Sequence, residues 1–481
     1  MSQCTRPKET ELPFWLSDLV QMQHQVCIHT AGCTYNHGDS NKLREILHAH
    51  QIPIVETIKD ASAVIVNTCI VIGTTEREMV KLFRVVTKQN QALYVTGCMP
   101  AVKREQILEV CSPVFIPTDN IHALYSEIMH KSSATGNSNT SSYTPPNTSN
   151  TSNTSNTSNT SDTSNTSDTS DTHAVAIVQA AHGCLGTCRY CITRFARGPL
   201  VSVPIHEICA EITHSVSRGA VEIQLTAQDM SAYGMDLTNR SQLAELLCAI
   251  NALSGDFRVR VGMMNPKTLF PVAKEVAQAF TLEKIFSFAH IPVQAQSDAI
   301  LALMDRGYTI YEFLEIIRIF SEIVPDILIG TDVIVGYPTE TDEDVDALIA
   351  LIQTIKPYRL NVTRYSAREG TPAALEYDMP DRFKKDRSRR ITTAFQELRK
   401  ECNAALIGKV FDVYITEKRK TGSVMARTDA YHAVVITDDC AKQVELGVKS
   451  GNTLMCGTRT TVTITGERVH YLIGTICNNH S

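Results

Sequence analysis

The sequence has 481 residues, a 43% hydrophobic share, and 45 Lys and Arg against 51 Asp and Glu, for a net charge of −6. At about 100–200 residues per domain, that leaves room for about three domains with sizeable cores. No run approaches the ~18 uncharged apolar residues of a membrane span, and the polar opening MSQCTRPKETELPFW has no apolar signal stretch, so a cytoplasmic chain is expected.

Residues 24–130 alternate short apolar strands with amphipathic helices. QVCIHTAG, ASAVIVNTC and QALYVTGC read as strands; SNKLREILHAH, REMVKLFRVVTKQ and DNIHALYSEIMH read as helices. That order predicts a parallel α/β sheet domain. Residues 131–173 collapse into Asn-Thr-Ser triplets with almost no apolar side chains, so a flexible tether is expected. Its Asn-x-Ser/Thr sequons come with the repeat, since glycosylation requires export.

From residue 174 to 404 the alternation resumes at larger scale. Strands are predicted at AVAIVQAA, VEIQLTA, FRVRVGM, KIFSFAHI, DILIGTDVIVG and RLNVTRYS, with helices between them at 204–218, 241–253, 297–305, 310–323 and 342–355. Six β/α units predict a partial (β/α)6 barrel whose site lies at the C-terminal ends of the strands. From 405 to 477 the helices stop, and short strands at KVFDVYITEKR, SVMARTDAYHAVVI, NTLMC and RTTVTITGERVHYLIGTIC predict a small all-β barrel. Residues 381–420, which lead into it, hold 12 Lys and Arg against 6 Asp and Glu. Such a run reads either as a solvated helix face or as a contact for nucleic-acid phosphates.

There are 15 cysteines, an odd number in a chain with no export signal, which points to buried thiols or metal ligands rather than disulfides. Cys184, Cys188 and Cys191 form a C-x3-C-x2-C loop in HGCLGTCRYC, directly after a predicted strand. Three thiolates on one loop hold three irons of a cubane and leave the fourth open, whereas electron-carrying clusters take four cysteines. The alternative is zinc, with His182 as a fourth ligand. Cys33, Cys69 and Cys98 are far apart in sequence, yet each closes a predicted strand. In a parallel sheet those ends share one edge, so a second three-thiol set is expected there. Cys4, Cys27, Cys111, Cys209, Cys248, Cys402, Cys440, Cys456 and Cys477 show no ligand spacing and read as structural.

Polar residues at strand ends are further candidates for cofactor binding: Gln228 and Asp229 after VEIQLTA, Asn265 after FRVRVGM, and Gln294 in HIPVQAQSD. Arg194 and Arg197 lie beside the cysteine loop; His290 and Arg306 are weaker candidates. Loop capping explains such residues equally well.

HTAGCTYNHGDS, VNTC, TGCMP, HGCLGTCRYCITRFARG, EIQLTAQDMSAYG, HIPVQAQSDAIL, DRGYT, TDVIVGYPTETDED and RYSAREGTPAA together resemble the radical-SAM methylthiotransferases. The tail resembles a TRAM RNA-binding module. ARGPLVSVPIHE, VGMMNP and GCMP most resemble the archaeal and eukaryotic branch. Two departures stand out: Thr339 occupies a position where glycine is usual, and Glu369 one where proline is usual.

The resemblance implies two [4Fe-4S] clusters and S-adenosyl-L-methionine. It implies that the Cys184–Cys188–Cys191 cluster generates a 5′-deoxyadenosyl radical that takes hydrogen from adenine C2, and that the Cys33–Cys69–Cys98 cluster carries the sulfur. The implied substrate is N6-threonylcarbamoyladenosine at position 37, in the tRNA anticodon stem-loop, with an electron-donor reductant as partner and a monomeric chain. Methylthiolation of isopentenyladenosine or of a ribosomal-protein aspartate, and a non-catalytic iron–sulfur or zinc RNA-binding protein, are the competing readings.

Overall fold

In the computed structural model, described over residues 12–71, 73–135, 174–419, 423–436 and 456–477, the chain divides into one unit ending at Pro146 and another beginning at Asn147. The first unit is a four-stranded parallel sheet in the order β1 (Val26–Thr30), β2 (Ala63–Thr68), β3 (Ala92–Gly97), β4 (Val114–Phe115). Every residue of β2 is buried because helices cover both faces of the sheet. Ile65 and Tyr94 pack with Leu43, Ile46 and Ile121 on one side, and Val64, Val66 and Val95 with Phe83 and Ile107 on the other.

Two features differ from the expected boundaries. A helix at Phe14–Gln21 adds Trp15, Leu16 and Leu19 to the core, so the packed unit starts before residue 24. The last helix, Thr118–Thr135, runs past residue 130. The expected tether from residue 136 to 173 lies outside the described residues, as do Cys4, Cys440 and most of the strand expected at NTLMC.

The second unit opens with β5 (Val175–Gln179) and a small antiparallel pair, β6 (Ala181–His182) with β7 (Val201–Ser202). β5 pairs in parallel with β8 (Glu222–Thr226), and β8 with β9 (Arg258–Val261). A second parallel sheet joins β10 (Phe288–His290), β11 (Leu328–Val335) and β12 (Arg359–Arg364). Single parallel bridges Val259–Ile285 and Met263–His290 connect the two sheets, giving six parallel strands in chain order, the expected half-barrel. Odd-numbered Ile223, Leu225, Val259 and Val261 face the helices and share one large core with Ile212, Leu246, Phe313 and Leu348. The alternate positions, including Glu222, Gln224, Arg258 and Arg260, point away from that core, a consequence of the two-residue period of a strand.

β13 (Val410–Lys418), β14 (Val424–Thr428), β15 (Ala433–Ile436), β16 (Arg459–Glu467) and β17 (Leu472–Ile476) close into a barrel. Its β14–β15 turn is wedged against the half-barrel. Tyr431, at φ 72°, packs on the Phe286 and Phe288 rings with centroids 4.8 and 5.2 Å away, and its hydroxyl donates to Glu222 Oε1 at 2.8 Å. Much of the basic run is a 24-residue helix, Asp381–Ala404, several of whose charges are paired with acids of neighbouring elements. Lys384 is buried on Asp378 and the Tyr365 carbonyl, Arg387 bonds Glu340 at 2.8 Å and Asp342 at 3.0 Å, and Arg390 bonds Asp346. The free positive charge is therefore smaller than the sequence count indicates.

Candidate functional site

The loop after β5 carries Cys184, Cys188 and Cys191, all half-buried. Two glycines shape it. Gly183, at φ +70°, lies so close to the next pass of the chain that a Cβ would sit 1.8 Å from the Pro199 carbonyl oxygen. Gly186 lies under the sulfurs: a Cβ there would be 3.2 Å from Cys184 Sγ and 3.7 Å from Cys188 Sγ. The Gly186 N–H donates to Cys184 Sγ at 3.1 Å. Burial first, with Asp229, Cys191 and Cys188 adding to it, pushes the Cys184 thiol up to about 11 against the pull of that hydrogen bond.

Among the described residues, no three His, Cys, Asp or Glu side chains are placed to hold a single metal ion. Zinc needs its ligands on one centre. A cubane takes one thiolate on each of three irons, which three cysteines on one loop can supply.

The β8 and β9 loop ends meet around Asp229, which is 4% exposed. Its Oδ1 accepts from Ser231 N at 3.0 Å, Ser231 Oγ at 2.7 Å and Asn265 N at 3.1 Å, and its Oδ2 accepts from Thr268 Oγ1 at 2.7 Å. With both oxygens engaged, Asp229 braces the loops. Gln228 beside it has a buried Oε1 with no hydrogen-bond partner, as does Gln296. Asn265 caps the helix Pro266–Leu269, and its Oδ1 accepts from Arg306 Nη2 at 3.1 Å. The same guanidinium donates through Nη1 to Cys188 Sγ at 3.1 Å and Tyr190 Oη at 3.3 Å.

Gln294 is 9% exposed and holds φ 67°, an uncommon conformation for a residue with a side chain. His290 Nε2 lies 2.9 Å from Asp332 Oδ1, which also accepts from Asn361 Nδ2 at 2.7 Å. Burial raises the Asp332 carboxyl, but the His290 contact and the Asn361 donor outweigh it and hold the group below its usual value. Arg194 stacks near Phe195 at 5.3 Å, and Arg197 is buried. Arg306, a weaker candidate in sequence, thus contacts the cysteine loop directly. Gln296 is a further candidate that strand-end position alone does not single out, although HIPVQAQSD carries both glutamines.

In the first unit, Cys33 stands at the start of the helix Thr34–Ala49, Cys69 follows β2, and Cys98 follows β3. The register pairs Thr68 with Gly97, one residue before Cys69 and Cys98, and Cys98 N donates to the Thr68 carbonyl at 3.0 Å. Gly32, at φ +121°, is so near that a Cβ on it would lie 2.9 Å from Cys69 Cβ. All three cysteines therefore lie on the C-terminal edge of adjacent strands, with Cys33 exposed and the other two buried.

Residues 25–116 match Uncharacterized protein family UPF0004, and residues 178–352 match the Radical SAM superfamily. The probable threonylcarbamoyladenosine tRNA methylthiotransferase of Archaeoglobus fulgidus is 36% identical over 425 residues, covering 88% of this chain and 96% of that protein. Its counterpart in Pyrococcus abyssi is 34% identical, covering 86% and 93%. The threonylcarbamoyladenosine tRNA methylthiotransferase of Homo sapiens is 28% identical, covering 90% and 73%. No helix among the described residues is long and apolar enough to cross a membrane. Two matched domains in this order, with near end-to-end similarity to the archaeal proteins, place the chain in the radical-SAM family of threonylcarbamoyladenosine tRNA methylthiotransferases.

Proposed function

We propose that the chain converts N6-threonylcarbamoyladenosine at position 37 of tRNA, next to the anticodon, to its 2-methylthio derivative, replacing the adenine C2–H with C2–S–CH3. The observation that carries this reading is the loop of three half-buried thiols at the C-terminal edge of a six-stranded parallel half-barrel. The names of the relatives supply the nucleoside.

When bound, a [4Fe-4S] cluster and S-adenosyl-L-methionine supply the one-electron chemistry that opens an unactivated C–H bond. Cys184, Cys188 and Cys191 would provide three thiolates, with Gly186 keeping the space beneath them clear. Asp229 ties the β8 and β9 loops together, which fixes the floor of the site. Gln228 and Gln296 hold buried amide oxygens without partners, suited to accept from the amino and hydroxyl groups of S-adenosyl-L-methionine. Asn265, Gln294 and Arg194 are the further cofactor contacts of this reading.

Cys33, Cys69 and Cys98 would hold a second [4Fe-4S] cluster and present the sulfur. Their common edge supports this, since adjacent strand ends bring the three thiols close without a fourth cysteine. The C-terminal barrel and the basic segment 381–420 that leads into it suit an RNA backbone.

The two cysteine sets should separate in assay. Cys188→Ala should abolish 5′-deoxyadenosine formation from S-adenosyl-L-methionine, whereas Cys69→Ala should keep it and lose only the methylthio product. A Cys69→Ala chain that still makes the product would remove the sulfur role from that set.

A further inference from the structure

Arg306 is a cation in an unusual place. It is 6% exposed, and among the described residues it makes no ion pair with a carboxylate. The buried acid on which its charge acts, Asp229, has both oxygens occupied by Ser231, Asn265 and Thr268. Asp229 feels the guanidinium's charge without a direct bond to it, and the hydrogen bonds of Arg306 go to other acceptors.

The turn is built to aim it. Asp305 and Gly307 on either side hold φ 54° and 67°. The Arg189 N–H in the cysteine loop donates to the Met304 carbonyl at 3.1 Å, which locks the loop to this turn. The fork reaches Cys188 Sγ and Asn265 Oδ1, both at 3.1 Å. Asn265 is itself held through its N–H on Asp229. A chain of fixed contacts thus runs from Asp229 through Asn265 to Arg306 and ends on a ligand sulfur.

We propose that Arg306 is a tuning residue: by donating to the Cys188 sulfur it raises the reduction potential of the cluster on Cys184, Cys188 and Cys191. This rests on the reading of those cysteines as cluster ligands. Adding an electron increases the negative charge on the cluster and its sulfurs. A fixed cation in hydrogen-bond contact with one sulfur stabilises the reduced form more than the oxidised form. The low dielectric around a buried group strengthens the effect. The practical consequence is access to the reduced state with a milder electron donor.

The test is an anaerobic redox titration, followed by electron paramagnetic resonance, of the full-length chain carrying Cys33→Ala, Cys69→Ala and Cys98→Ala so that a single cluster responds. Arg306→Met and Arg306→Gln should each lower the one-electron reduction constant at least tenfold, 59 mV in midpoint, at unchanged iron content. Arg306→Lys should fall between them and the parent. A change under twofold in both neutral variants overturns the proposal. So does loss of iron from both with unaltered thermal melting, which would make Arg306 an assembly residue. A parent chain that takes up no iron would instead refute the cluster reading itself.

Discussion

Gly183→Ala tests whether the cysteine loop is held by the close approach that the sequence HGC permits. At φ +70° an alanine meets the left-handed penalty of about 1–2 kcal/mol. Its Cβ would start 1.8 Å from the Pro199 carbonyl oxygen and 2.7 Å from that of Gly198, so one strand of the loop must retreat by roughly 1 Å. Overpacking of this kind costs about 1–3 kcal/mol, for a total of about 2–5 kcal/mol. The displaced segment includes the Gly198 carbonyl that accepts the Cys184 N–H at 3.1 Å, so the first cluster ligand moves with it. Two readings follow from one sample: iron per chain after anaerobic reconstitution, and the melting temperature. Iron should fall by about one cluster and melting by at least about 4 °C. An alanine variant with parental iron and a melting point within about 1 °C would refute the reasoning.

Thr339→Gly should stabilise the chain. Thr339 is exposed and sits at φ 73°, so glycine relieves about 1 kcal/mol of strain and should raise melting by about 2 °C; no gain would contradict this. His432 gives a pH signature. Burial, with Arg399 and Lys409 nearby, lowers its pKa from 6.5 to about 4, so the folded chain keeps it neutral while the unfolded chain takes up a proton. Stability from this group is full above pH 6.5 and falls toward pH 4, by at most about 3 kcal/mol. Melting of the parent should drop more between pH 7 and pH 5 than that of His432→Gln, and equal drops would contradict it.

What the sequence made legible was local. The half-barrel strands carry apolar residues at alternate positions between helices, two of them capped by Thr309 and Thr341, and the Cys184 loop is defined by short spacing. Thr339 was already anomalous in sequence, and its φ shows why glycine suits the position. What stayed hidden depends on partners distant in the chain. Arg306 reaches Cys188 across 118 residues, and Asp229, a cofactor contact or a loop cap by sequence, bonds Ser231, Asn265 and Thr268 through both its oxygens. The basic run misleads for the same reason: Lys384, Arg387 and Arg390 point into acidic partners from earlier helices and loops. Trp15 and its helix join the core, but about two turns of amphipathic periodicity in a polar surround are a weak signal in sequence.

The most direct test of the whole account is nucleoside mass spectrometry of tRNA from cells that lack this activity and are supplied with the parent chain, Cys188→Ala or Cys69→Ala. The parent should convert N6-threonylcarbamoyladenosine to its 2-methylthio form, and both variants should leave it unconverted. Appearance of 2-methylthio-isopentenyladenosine instead, or no change in any tRNA nucleoside, would contradict it.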